Sequence, residues 1–200
     1  MNSVTIGITG ASGIVYGIRT LEELLASGMN VSVIYTSSAE KVAEYEIGRD
    51  LKDILEDLSK RSTGKMKVYR DRDLDAPIAS SSNMDEAVIV VPCSMKTLAQ
   101  IAYGISNNLI VRTSLNALRM KRPLVLVPRE TPLGYVELRA MLRVSEAGAI
   151  VLPAMPAFYI RPKSIDDMVN FIVGKVFDTL GLKHSLYRRW EGKSDKEGRF

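Results

Sequence analysis

The sequence predicts an α/β fold in a single domain, a three-layer sandwich whose mainly parallel sheet carries helices on both faces. Three observations predict it. Strand-like apolar runs alternate with amphipathic, helix-like stretches, the pattern of parallel strands joined by crossover helices. One run, Ala87-Val88-Ile89-Val90-Val91, is apolar without a break, as a strand buried on both faces requires. The 200 residues are 46% hydrophobic, enough to fill one core.

The elements follow in order. Val4 to Thr9 reads as the first strand, and Gly10-Ala11-Ser12-Gly13 as the turn after it. Val15, Ile18, Leu21, Leu24 and Leu25 then recur at helical spacing up to a Ser27-Gly28 stop. Val31 to Thr36 is a second strand, and Ser37 or Ser38 can cap a helix through Tyr45. Asp50 to Leu58 predicts another helix, Arg61 to Gly64 a polar loop, and Met66 to Tyr69 a short strand. The buried strand, Glu86 to Val91, is expected to end at Pro92, and Ser94 to cap a helix toward Tyr103. Leu109 to Met120 reads as helix, Leu124 to Val127 as strand, Val136 to Val144 as helix and Ala149 to Leu152 as the last strand. Ser164 caps a final helix in which Ile165, Met168, Val169, Ile172 and Val176 share one face. Residues 1–185 form the expected domain and 186–200 a charged tail, free or used between subunits.

Composition excludes several function classes. One cysteine, Cys93, rules out an intramolecular disulfide, and with the single histidine, His184, it argues against a metal site. No apolar stretch approaches the roughly 20 residues of a membrane span, and Met1 leads into a strand rather than a signal segment, so a cytoplasmic protein with no membrane partner is expected. The formal charge of +4 is modest and its basic residues are scattered, except around Arg119, Lys121 and Arg122 and in the tail. A nucleic-acid partner would call for a basic stripe with interleaved aromatics, so none is expected. Anionic small molecules account for the surplus.

In open α/β sheets, ligands gather where strands end and helices begin. Four loops hold such positions: Gly10 to Gly13, Thr36 to Ser38, Pro92 to Thr97, and Pro128-Arg129-Glu130-Thr131-Pro132. Together they offer small residues, hydroxyls and cations, a set suited to phosphate. The first loop spells neither G-x-G-x-x-G nor a P-loop nor G-x-S-x-G, and a tight strand-to-helix turn explains it equally well. Arg129 offers a bidentate phosphate fork and Glu130 a proton-transfer group, against the alternative of a surface ion pair. Phe158 and Tyr159, in the proline-rich segment after the last strand, are either core aromatics or, for Tyr159, a phenol offered to a phosphate.

The stretches GITGASG, PCSMKTLAQIAYGISNNLIVR, RPLVLVPRETPL and LPAMPAFYIRP, with Arg189-Trp190, resemble the UbiX flavin prenyltransferases over nearly the whole chain. The resemblance implies a Rossmann-like, flavodoxin-like flavoprotein. Its activity would be the transfer of a dimethylallyl group from dimethylallyl monophosphate to N5 and C6 of reduced FMN, without a metal. The implied product, prenylated FMN, would serve a UbiD-type decarboxylase, and the implied assembly is a homododecamer. Carried over by position, FMN would rest on Gly10, Ala11, Ser12, Thr36, Ser94, Met95, Lys96, Thr97 and Arg129. The prenyl phosphate would meet Ser12, Arg119, Arg129, Glu130, Tyr159 and Lys175, with Ser12, Glu46 and Glu130 as the catalytic set. Arg119 stands where the family usually has Lys, Lys175 where it has Arg, and Ser80-Ser81-Ser82 where Ser-Gly-Ser is common. These swaps keep charge and change hydrogen-bond geometry.

Such a reaction needs stabilisation of the departing phosphate, for which Arg119, Arg129 and Lys175 supply three organic cations. It also needs a base, for which Glu130, Glu46 and the released phosphate are the candidates, with Ser12 as a relay. Two rivals stand beside it. A flavin-dependent cysteine decarboxylase of related fold would need an active-site His and a different loop where PRETPL stands. A non-catalytic FMN carrier would bind flavin without turnover.

Overall fold

The computed structural model describes residues 1–190. Among them are six strands: β1 (Ser3–Ile8), β2 (Asn30–Tyr35), β3 (Met66–Arg70), β4 (Ala87–Cys93), β5 (Leu124–Pro128) and β6 (Ile150–Val151). All pair in parallel, in the order β3-β2-β1-β4-β5-β6. The helices are α1 (Ile14–Ala26), α2 (Ser37–Ile47), α3 (Leu51–Arg61), α4 (Met95–Tyr103), α5 (Leu109–Arg119), α6 (Tyr135–Glu146) and α7 (Ile165–Thr179). Two short 3-10 turns, Pro77–Ala79 and Ser81–Asn83, precede β4. The expected α/β class and parallel sheet are borne out.

The chain forms two compact units, Met1–Ala154 and a second that begins at Met155. The first holds the whole sheet with α1–α6, and the second holds α7. Every residue of β4 is buried, which is why its sequence needs no polar alternation. Side chains alternate between the two faces of the sheet. Ile34, Val88, Val90, Leu124 and Leu126 cluster with Leu98, Ile101, Ile110, Ala117, Ala140 and Val144 of α4, α5 and α6. Neighbouring residues such as Val33, Ile89 and Val125 point the other way, toward the layer of α1, α2 and α3, where Leu21, Leu24 and Leu25 are buried.

The connections place a switch point between β1 and β4. From β1 the chain moves outward to β2 and β3, then returns to lay β4 on the other side of β1 and continues outward to β5 and β6. Loops leaving the carboxyl ends of β1 and β4 therefore diverge and open a crevice, the place where such sheets hold ligands.

Several boundaries differ from expectation for physical reasons. β4 does not stop at Pro92. Val91 and Pro92 together face the single residue Val127 between the paired positions Val90–Leu126 and Cys93–Pro128. Such a bulge leaves an unpaired position, where a residue without an N–H is tolerated. Thr36, not Ser37 or Ser38, caps α2, its hydroxyl accepting from the Ala39 N–H at 3.1 Å. Asp50 caps α3, which runs on to Arg61, and β6 is reduced to two paired residues. The 3-10 turns carry no periodic pattern that the sequence would show. No helix among the described residues is long and apolar enough to cross a membrane.

α1 packs on the switch point through Gly17, where an added Cβ would lie 2.5 Å from the Val91 carbonyl oxygen. A backbone oxygen cannot swing aside as a side chain can. Gly17→Ala should therefore cost about 1–3 kcal/mol, the usual range for overpacking, read as a lower urea midpoint at unchanged slope. An unchanged midpoint would show that the helix shifts freely.

Candidate functional site

The first unit ties two of the four predicted loops together through one buried hydroxyl and a third through the backbone of the same strand. Thr9, which is 1% exposed, follows β1. Its Oγ1 donates to the Pro92 carbonyl at 2.7 Å and accepts from the Ser94 N–H at 2.8 Å. The Thr36 N–H donates to the Ile8 carbonyl at 3.1 Å, so the loop after β2 is tied to the same strand. Ser94 caps α4, its hydroxyl accepting from the Thr97 N–H at 3.3 Å and lying 3.1 Å from the Thr97 hydroxyl. Gly10 is half-buried and Ala11 buried; Met95 is half-buried, Lys96 exposed and Thr97 buried at the start of α4.

Glu46 crosses from the end of α2 to the start of α1. Its two carboxylate oxygens accept from the Gly13 N–H at 3.0 Å each, and Oε2 also accepts from the Ile14 N–H at 2.9 Å. A carboxylate at a helix N-terminus is the favoured charge there. Of the anion-binding donors expected at the Gly-Ala-Ser-Gly turn, the Gly13 N–H and that of Ile14 after it are thus engaged by the chain's own Glu46. Donors at the α4 N-terminus, the Ser94 and Thr36 hydroxyls and the Arg129 guanidinium remain at this edge.

Arg129 follows β5 and reaches back to the first loop, its Nε donating to the Ser12 carbonyl at 3.3 Å. That bond fixes the guanidinium to the backbone of Ser12, which is itself exposed. Burial first, with the charge of Glu46, pushes the Tyr16 phenol above its usual range, against the opposing pull of Arg129. Glu130 is exposed and accepts from the N–H of its neighbour Thr131 at 3.1 Å, leaving Oε2 toward solvent. Cys93 is fully buried, which pushes its thiol far up and makes it inert.

Arg119 does not join this group. It ends α5, and the chain enters β5 at Leu124, which pairs with Val88 near the start of β4. Arg119 therefore lies toward the amino edge of the sheet, whereas Arg129 leaves β5 at the carboxyl edge. The signal was present in the sequence, because a residue that ends the helix before a parallel strand lies at that strand's start. Arg119 lines a separate cleft of about 450 Å³ with Arg112, Asn116, Ser80, Ser81 and Asn83. There Arg112 Nε and Asn116 Nδ2 hold the Ala79 carbonyl at 2.9 and 3.0 Å, and Arg119 donates to Asn116 Oδ1 at 2.8 Å.

The second unit carries the other two expected ligand residues. Phe158 and Tyr159 are exposed rather than core, and Tyr159 meets Phe171 and Trp190 edge-on with centroids 5.9 and 5.8 Å apart. The Lys175 ammonium stands 5.5 Å from the Phe171 ring centroid and 5.1 Å from that of Tyr187. Asp178, one turn on, accepts from His184 Nε2 at 3.0 Å, from Arg189 at 2.6 Å and from the Tyr187 hydroxyl. Residues 191–200 of the expected tail lie outside the described residues. Sequence reasoning missed Thr9 and Asp178. Thr9 had a faint signal, a hydroxyl closing an apolar strand; Asp178 had none, since its partners follow in an irregular segment.

The model of the flavoprotein family matches residues 1–177. The flavin prenyltransferase UbiX of Saccharolobus solfataricus is 49% identical over 191 residues, 94% of this chain and 92% of that protein. Among solved structures, AnUbiX (PadA1) in complex with FMN and dimethylallyl pyrophosphate has a TM-score of 0.89 at 36% identity, covering 96% of this chain and 99% of that one. A dodecameric FMN-dependent UbiX-like decarboxylase from Escherichia coli O157:H7 has a TM-score of 0.86 at 35% identity, covering 95% and 100%.

Two expectations follow from the geometry. Thr9→Val keeps the shape but strands the Ser94 N–H and leaves the Pro92 carbonyl with the Thr9 N–H alone, at 3.3 Å, which should cost about 1–3 kcal/mol in a denaturant titration; a wild-type midpoint would show that the bridge is dispensable. For Asp178, burial pushes the carboxyl up, but the hydrogen bonds from Tyr187, His184 and Arg189 outweigh it and bring the pKa down from 3.8 to about 2. A carboxylate depressed by folding stabilises the fold above its unfolded pKa, and that contribution is lost as pH falls through the folded value. The stability advantage of wild type over Asp178→Asn should accordingly shrink between about pH 4 and pH 2, and parallel pH curves would contradict it.

Proposed function

Because the chain belongs to the flavoprotein family and, within it, to the UbiX flavin prenyltransferases, we propose that it joins the dimethylallyl group of dimethylallyl monophosphate to N5 and C6 of reduced FMN. The observation that carries this reading is the Arg129–Ser12 bond at the switch point. It ties a guanidinium from the β5 loop to the backbone of the residue that carries the Ser12 hydroxyl, at the sheet's carboxyl edge, where α4 also begins. The donor set fits FMN. N–H groups at the start of α4, with Ser94 and Lys96, suit a phosphate, and Thr36 adds a hydroxyl across the crevice. Gly10 and Ala11 line the same crevice with little bulk.

When bound, the reduced flavin supplies the nucleophilic N5 and C6, and the donor supplies an allylic carbon with phosphate as leaving group. The chain's task is to bind, orient and neutralise. Arg129 presents fixed donors to a phosphate and stabilises charge that grows as it departs. Glu130 and Ser12 are the exposed groups able to take or relay a proton at this edge. Glu46, with both oxygens turned to the α1 N-terminus, holds the loop that carries Ser12. Lys175 and Tyr159 of the second unit are assigned to the prenyl phosphate by their positions in the family pattern. Their chemistry suits it: an ammonium held over two rings and an exposed phenol.

Arg119, at the opposite sheet edge, can meet such a phosphate only from a neighbouring copy, and we assign it that role in a homo-oligomer. The dodecameric state of the Escherichia coli relative supports an assembly of this kind. The product, prenylated FMN, is proposed to pass to a UbiD-type decarboxylase.

The deciding experiment incubates the purified protein anaerobically with reduced FMN and dimethylallyl monophosphate and weighs the flavin by mass spectrometry. Flavin heavier by one five-carbon unit is expected. Recovery of FMN unchanged would reduce the protein to a flavin carrier.

A further inference from the structure

The segment after α7 is folded back onto that helix by a single carboxylate. Asp178 Oδ1 accepts from His184 Nε2 and Arg189 Nη2, while Oδ2 accepts from the Tyr187 hydroxyl. The His184 side chain is 2% exposed, and its Nδ1 accepts from the Leu186 N–H at 3.2 Å. With Nδ1 an acceptor, Nε2 carries a proton and faces Asp178, so His184 serves as a strut. Gly174 makes room for the arrangement, since an added Cβ there would lie 2.6 Å from the Tyr187 ring and 2.8 Å from His184 Cε1. Both rings thus rest directly on the helix backbone.

Lys175 stands at the rim of this assembly. Its ammonium is 3.8 Å from Asp178 Oδ2, longer than any of the three bonds that carboxylate accepts. Asp178 therefore takes its closer donors elsewhere, and the partly exposed Lys175 side chain stays open to an anion. The Tyr187 hydroxyl, by hydrogen bonding, is the main cause that pushes the Lys175 pKa up, against burial. The cluster keeps a net positive charge, with Lys175 and Arg189 against Asp178 alone. On the far side, Arg189 leads directly into Trp190, which meets Tyr159. A lysine on a free four-carbon stem loses rotamer freedom when it captures a phosphate. Here the ammonium already stands over the Phe171 and Tyr187 rings.

We infer that Asp178 is a positioning residue for prenyl-phosphate binding, acting through Tyr187 on the Lys175 ammonium and through Arg189 on the Tyr159–Trp190 pair. The inference rests on the proposed role of Lys175 and Tyr159 as prenyl-phosphate contacts. Nothing in it requires Asp178 to touch substrate or flavin.

The test measures KM for dimethylallyl monophosphate, kcat and FMN affinity in the full-length protein, three single variants and one double variant. Tyr187→Phe keeps the ring and removes the hydroxyl between Asp178 and Lys175. It should raise KM about tenfold, the scale of a lost hydrogen bond to a charged group, with kcat and FMN affinity retained. Asp178→Asn should do the same or more. Lys175→Ala should raise KM at least as far, and adding Tyr187→Phe to it should change nothing further, because both act through one ammonium. A wild-type KM in Tyr187→Phe, or FMN affinity weakened in step with KM, would overturn the inference while Lys175 kept its role. A wild-type KM in Lys175→Ala would overturn the assignment of Lys175 and the inference with it. Should Asp178→Asn fail to fold, Tyr187→Phe decides alone.

Discussion

The crevice at the switch point depends on the Thr9 hydroxyl. Strand order alone makes the β1 and β4 loops diverge, but divergence does not set their spacing. Thr9 does, by donating to Pro92 and accepting from Ser94 with one oxygen atom. The Pro92 carbonyl, at the bulge, accepts that hydroxyl together with the Thr9 N–H at 3.3 Å. The N-terminus of α4 then begins at a defined distance from the turn that starts α1. A buried hydroxyl with both its capacities filled is a stiff joint, because breaking either bond leaves a polar group without water.

Charge at this edge is arranged in compensation. Three helices begin near the crevice, and each start carries unsatisfied N–H groups. At α1 the Glu46 carboxylate takes two of them, while at α2 Thr36 and at α4 Ser94 take one each. Glu46 is an internal anion, and by its presence the α1 start is closed to a second one. In the proposed reading, the ligand phosphates are thereby directed toward α4 and Arg129. Arg129 gains its orientation from a backbone carbonyl rather than a carboxylate, so its positive charge is not cancelled by a short ion pair.

The second unit solves a related problem with different means. Its C-terminal segment has no regular structure to hold it, so a carboxylate with three closer donors and one more distant ammonium does so. Aromatic rings supply the area: Phe171, Tyr187 and His184 pack on one another and on α7. The result keeps a lysine charged and oriented at low cost in freedom on binding.

By itself the sequence determined the α/β class, the parallel sheet and the residues that follow each strand, because side-chain periodicity and capping residues are local properties. Val88 to Val91 announced a strand buried on both faces, and Ser94 and Ser164 announced their helices. The family motifs carried the identity of the reaction, since PRETPL and PAMPAFY have no other ready source. What the tertiary structure decided were the meetings between distant residues. Glu46 on Gly13, Thr9 on Ser94 and Arg129 on Ser12 each depend on strand order and register, which no local pattern encodes. It also separated Arg119 from Arg129, two cations ten positions apart that a strand's length carries to opposite edges of the sheet. Periodicity names the face on which a residue lies; only the packed sheet names its neighbour.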